Sequence, residues 1–129
     1  MKNRKEKISF VIPCYNSTNT IASVVAEIKA VMKNVMNRYS YEVILVNDGS
    51  PDGTTYDAIA KIASEEKHIK GINLARNFGQ PSAVMAALNH ATGDYVVCGD
   101  DDGQTPFDEL PKLFEKIEEG YDLVEAKYA

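Results

Sequence analysis

Short runs of β-branched and aliphatic residues alternate along this chain with segments whose apolar residues recur every three or four positions. The runs are Ile8 to Ile12, Val43 to Val46, Ile69 to Leu74, Tyr95 to Cys98 and Leu123 to Val124, and the first four have strand length. Between the first two, Ile21, Val24, Val25, Ile28 and Val31 fall on one helical face, and Ser17 to Asn19 offer an N-cap. Ile59, Ile62 and Ala63 mark a second helix after the turn-forming residues Pro51 to Thr54. Val84, Ala87, Leu88 and Ala91 mark a third, with Pro81 in its first turn and Gly93 placed to close it in a left-handed conformation. Leu110, Leu113, Phe114 and Ile117 mark a fourth, stopped by Gly120. Strands alternating with helices predict an α/β fold, a Rossmann-like open, mostly parallel sheet with helices on both faces.

The apolar stripes are read as core faces, because helices in such folds bury one side on the sheet. Their value is that they locate the polar residues, since ligands of open α/β sheets sit outside the carboxyl ends of the strands. After the first strand comes Pro13-Cys14-Tyr15-Asn16, after the second Asn47 to Gly53, after the third Arg76 to Gln80, and after the fourth Asp100-Asp101-Asp102-Gly103-Gln104. Three consecutive carboxylates at a strand end repel one another and call for a cation or for protonation. Alternate residues of an extended segment point the same way, so Asp100 and Asp102 can converge while Asp101 faces elsewhere. Oxygen ligands suit Mg2+ or Mn2+, and Gln104 could add a carbonyl oxygen. The bland alternative is an acidic turn capping the fourth helix. Asp48 can accept hydrogen bonds from a base or ribose, Gly49 permits close backbone approach, and Tyr15 could stack on a base. Arg76 could reach a diphosphate or hold Asp48 and Asp100 in place.

At 129 residues, with 44% hydrophobic and 26% charged residues, the chain fits one globular domain over 1–129. A net charge of −5 argues against nucleic acid as a partner, which would call for clustered cations. The basic cluster Lys2 to Lys7 precedes an apolar run that Pro13 ends too early for a signal peptide or membrane helix. Cys14 and Cys98 lack zinc spacing and are read as small buried residues in a reduced setting, while His68 and His90 are read as surface or helix-end residues. Neither GxGxxG nor GxxxxGK[ST] occurs, which disfavours dinucleotide and P-loop folds.

Five blocks in order, VIPCYN (Val11 to Asn16), VNDGSPDGT (Val46 to Thr54), LARNFGQ (Leu74 to Gln80), ATGDYVVCGDDDGQTP (Ala91 to Pro106) and EEGYDLV (Glu118 to Val124), resemble the inverting glycosyltransferases of family two, whose nucleotide-binding domain has the A-type fold. RNFGQ and the glutamine after the acidic triplet resemble the branch of dolichyl-phosphate mannose synthases and bacterial undecaprenyl-phosphate sugar transferases. The resemblance implies a UDP- or GDP-sugar donor, a polyprenyl phosphate or growing glycan as acceptor, and a divalent metal held by Asp100, Asp102 and Gln104. It implies that Pro13, Tyr15, Val46 and Asp48 line the nucleoside pocket, and Asn16, Gly49, Arg76, Asp100 and Asp101 in the same loops are expected to bind the nucleotide sugar with them. Ser17 stands where that branch often has glutamate, and Asn47 where many members have aspartate, so base or sugar preference could differ. The resemblance also places acceptor residues, any catalytic base and any membrane helices beyond Ala129, and the full-length protein in the cytoplasm at the inner membrane face. Two rivals stay open: a phosphohydrolase with Asp100 as nucleophile and Asp102 as acid, and a non-catalytic nucleotide-binding module.

Overall fold

In the computed structural model the described residues are 5–102 and 106–118. Strand β1 (Lys7–Cys14) is apolar at nearly every position because it is covered on both faces. It pairs in parallel with β2 (Ser40–Asn47) on one side and β4 (Tyr95–Cys98) on the other, and β3 (Ile69–Asn73) pairs in parallel with β2. The order β3-β2-β1-β4 brings the carboxyl ends of the strands to one edge. Helices α1 (Ile21–Asn34), α2 (Thr55–Glu65) and α4 (Leu110–Glu118) pack on one face, where Ile8, Phe10, Ile12, Val43 and Leu45 meet Ile28, Ile59 and Phe114. Helix α3 (Gln80–Leu88) covers the other, setting Ala83 and Ala87 on Val11, Ile44 and Val46. The expected open parallel sheet with helices on both faces is what the chain forms.

Several local expectations are corrected. Helix α1 starts at Ile21 with Thr20 at its N-cap position and no side-chain cap bond, so Ser17 to Asn19 belong to the preceding loop. Helix α3 ends at Leu88, and Gly93 is not among the glycines with positive φ. Gly93 serves close approach instead: a Cβ there would sit 2.6 Å from Ser9 Oγ and 2.8 Å from Ser9 N. Cys98 is exposed whereas Cys14 is buried, because β4 lies at the margin of the four described strands. His90 is exposed at the end of α3, as expected, and His68 packs edge-on against Tyr41. The expected strand at Leu123 to Val124, the stop at Gly120 and the Ile117 side chain lie outside the described residues.

Beyond the end of α3 the same sheet face carries a polar cluster centred on Glu42, which is 2% exposed. Its Oε2 accepts from Ser9 Oγ at 2.6 Å and from the Thr92 N–H at 2.7 Å, and its Oε1 pairs with Lys70 Nζ at 2.8 Å and Lys7 Nζ at 3.6 Å. Burial alone would push this carboxyl up, but the Lys70, Ser9 and Thr92 hydrogen bonds and the nearby Lys7 charge hold it at about 2, from an ordinary 4.5. Because the folded value is depressed, the stabilisation is complete above pH 4.5 and is lost as pH falls towards 2. Glu42→Gln is therefore expected to cost about 2 kcal/mol at neutral pH. That is less than a fully buried pair would lose, since both lysines reach solvent. Melting temperatures measured from pH 7 to pH 2.5 should show the gap to wild type closing below pH 4; a constant gap would mean the charge contributes nothing.

Candidate functional site

At the carboxyl edge, the loops after β1, β2 and β4 and the first residue of α3 enclose a cleft of about 280 Å³ lined by Pro13, Cys14, Tyr15, Asp48, Gln80, Asp100, Asp101 and Asp102. The geometry begins with the sheet register. Cys14 pairs with Asn47, and the Asp48 N–H donates to the Cys14 carbonyl at 2.9 Å, which extends the ladder one residue and aims Asp48 across β1. Opposite, the Gly99 N–H donates to the Val11 carbonyl at 3.0 Å, so the chain leaves β4 directly into the acidic triplet.

Each loop is fixed by hydrogen bonds to its neighbours. Asp48, 4% exposed, accepts the Phe78 N–H on Oδ1 at 2.9 Å, and no other described group takes its Oδ2. Asn47 donates to Asn73 Oδ1 at 2.8 Å and accepts the Ser50 N–H at 3.2 Å. The amide at this position thus supplies a donor that an aspartate would lack. Asn16 adopts φ 50°, and its Oδ1 accepts the Asp52 N–H at 3.3 Å, tying the first loop to the second. Asp52 accepts the Thr54 and Thr55 N–H groups at the start of α2 and the Thr55 and Thr18 hydroxyls. These bonds, the one from the Thr55 hydroxyl foremost, hold the Asp52 carboxyl below its ordinary value.

The electrostatics of the cleft are those of crowded acids. Burial, then the charges of Asp102 and Asp101, raise the Asp100 carboxyl above its ordinary value, the state that a divalent cation would relieve. Burial, aided by Asp101, pushes the Cys14 thiol up to about 12, so it lines the cleft as a neutral thiol. Among the described residues no group of three or more His, Cys, Asp or Glu side chains forms a ready metal cage. Two carboxylates with substrate phosphate oxygens are the donor set that suits Mg2+, so Asp100 and Asp102 fit an ion that arrives with its ligand. Gln104, the third expected metal ligand, lies outside the described residues.

The cleft thus brings together Pro13, Tyr15, Asp48, Asp100, Asp101 and Asp102, and leaves other expected residues out of its lining. Val46 is fully buried against Ala83 and Ala87, because even-numbered β2 residues face α3. Asn16 is spent on the loop-to-loop bonds. Gly49, φ 64°, approaches the chain itself: a Cβ there would lie 2.2 Å from the Arg76 carbonyl carbon and the Asn77 nitrogen. The Arg76 guanidinium lies over the Phe78 ring, 4.6 Å from its centroid, and among the described residues no ion pair joins it to Asp48 or Asp100. Gln80 and Cys14 line the cleft without having been singled out. Gln80 opens a helix at a strand end, a position that signals exposure to ligand, whereas Cys14 carries no such signal.

A parallel sheet in this order, with an acidic loop beside a cleft at its carboxyl edge, is an open α/β domain of the kind that takes ligands at its strand ends. The sequence profile of glycosyl transferase family 2 matches residues 9–127, and the chain belongs to that family. Among solved structures it is similar to S. aureus TarS residues 1–349, at 27% identity, TM-score 0.66, with 88% of this chain and 32% of that one covered. It is also similar to the glucosyl-3-phosphoglycerate synthase of Mycobacterium tuberculosis, in complex with Mn2+, UDP-glucose and phosphoglyceric acid, at 25% identity and TM-score 0.63 over 87% of this chain and 39% of that one. A mannosyltransferase of Pyrobaculum calidifontis, in complex with GDP-mannose and Mn2+, shares the fold at 24% identity and TM-score 0.63 over 77% of this chain and 28% of that one. The chain thus spans about a third of the length of the structures it matches.

Proposed function

We propose that this domain binds a nucleotide diphosphate sugar together with Mg2+ or Mn2+, and serves an inverting transfer of the sugar to a polyprenyl phosphate or growing glycan. The observation that carries the reading is the cleft itself, which Tyr15, Asp48 and the acidic triplet line together. Tyr15, 46% exposed, offers a ring for base stacking, and Asp48 Oδ2 accepts from the base or ribose. Asp100 and Asp102, with Gln104, hold the ion. When bound, the ion supplies charge stabilisation to the leaving diphosphate, worth several kcal/mol. An ionised lipid phosphate needs no general base, whereas a glycan hydroxyl needs one. The Mn2+-bearing nucleotide-sugar complexes among the similar structures support this reading.

The phosphohydrolase rival would use Asp100 as nucleophile and Asp102 as acid in the same cleft, and release of inorganic phosphate distinguishes it. Among the described residues no helix is long and apolar enough to cross a membrane. The test is incubation of the full-length protein, with the segment that follows this domain, with labelled UDP- or GDP-sugars, Mn2+ and polyprenyl phosphate. Label should enter the organic phase and stop doing so in EDTA. Label entering only a glycan would correct the acceptor, and release of inorganic phosphate without sugar transfer would overturn the proposal.

A further inference from the structure

Asp101 ties the acidic loop to the loop between β1 and α1. Its Oδ2 accepts the Tyr15 backbone N–H at 2.9 Å, and its own carbonyl accepts the Thr20 hydroxyl at 2.5 Å. The two bonds reach from the loop after β4 to both ends of the loop between β1 and α1. The Thr20 hydroxyl, which also lies 3.2 Å from the Ser17 carbonyl, is thereby drawn away from capping α1, whose N-cap position carries no side-chain cap bond.

Resting on the nucleotide-sugar reading, we propose that Asp101 is a positioning residue: with Thr20 it pins the Tyr15 loop to the acidic loop. The ring facing the base and the carboxylates facing the ion are then held at one fixed separation. Asp101 thus acts through Tyr15, and its carboxylate serves as a hydrogen-bond acceptor in place of an ion ligand. A backbone N–H needs an acceptor but no charge, so an asparagine oxygen at this position does the same work.

The test titrates the full chain calorimetrically with UDP and GDP, in Mn2+ and in EDTA. Asp101→Ala and Thr20→Val each weaken nucleotide binding roughly five- to tenfold in both conditions, the scale of one lost hydrogen bond. Asp101→Asn recovers most of that affinity. In a Tyr15→Ala background Thr20→Val has no further effect, because the group it positions is gone; a general loss of stability would add to the Tyr15 loss. Thr20→Val without effect in the native background, additivity with Tyr15→Ala, or Asp101→Asn as damaging as Asp101→Ala would each overturn the assignment. Wild-type protein binding neither nucleotide would sink the nucleotide-sugar reading beneath it, a result distinct from a silent Thr20→Val.

Discussion

Asp102→Asn should lower the affinity of the full chain for its nucleoside diphosphate about a hundredfold in Mn2+ and leave it nearly unchanged in EDTA. The expectation follows from what the triplet is asked to do. Asp100 and Asp102 line the cleft together, and Asp102 contributes to raising the Asp100 carboxyl. Removing one of two carboxylates from an ion removes both a ligand and half of the compensating charge. Loss of a supporting partner alone typically weakens metal binding roughly ten- to a hundredfold, so loss of a direct ligand belongs at the upper end. The split between Mn2+ and EDTA separates this from a folding defect, which would weaken binding in both. Equal affinities for wild type and variant in Mn2+ would remove Asp102 from the site.

Asp48→Asn should weaken nucleotide binding roughly ten- to a hundredfold with or without metal, while the melting temperature stays close to that of wild type. One oxygen of this buried carboxylate is committed to the Phe78 N–H. Asparagine keeps that bond through its own oxygen, but turns the other acceptor into a donor facing the ligand. A charge-assisted hydrogen bond is worth about 1.5–3 kcal/mol, which gives the stated range. Calorimetry beside a thermal melt checks it. Intact affinity with a lowered melting temperature would mean that Asp48 only holds the Phe78 loop.

The strands, the helices and the edge at which the site forms were legible because each rests on local pattern. β-Branched runs and three-to-four spacing do not depend on distant residues, and parallel topology sends every strand end to the same side. Glu42 was not legible. A charged residue beside Ser40 and Tyr41 reads as the solvated entry of a strand, and only folding brings Lys7 and Lys70, 35 positions before it and 28 after, to its carboxylate. Val46 failed for a related reason. β2 is buried on both faces, so alternation gives no sign of which residue near its end turns towards the cleft. The role of Gly49 shows the same limit: close backbone approach was readable from a glycine at the strand end, but the Arg76 backbone that approaches it was not. Thr20 drew no reading beside the capping candidates Ser17 to Asn19, and its use as a strut to Asp101 depends on a loop 81 positions away.

The central claim is that the cleft takes up a divalent ion and a nucleotide diphosphate as one unit. Titrating the wild-type full chain with UDP and GDP across a range of Mn2+ concentrations tests it most directly. One of the two nucleotides should bind roughly a hundredfold or more tightly with Mn2+ present, and Mn2+ should bind more tightly by the same factor with that nucleotide present, as linkage requires. Nucleotide affinities that do not respond to Mn2+, with Mn2+ uptake that ignores the nucleotide, would contradict the account.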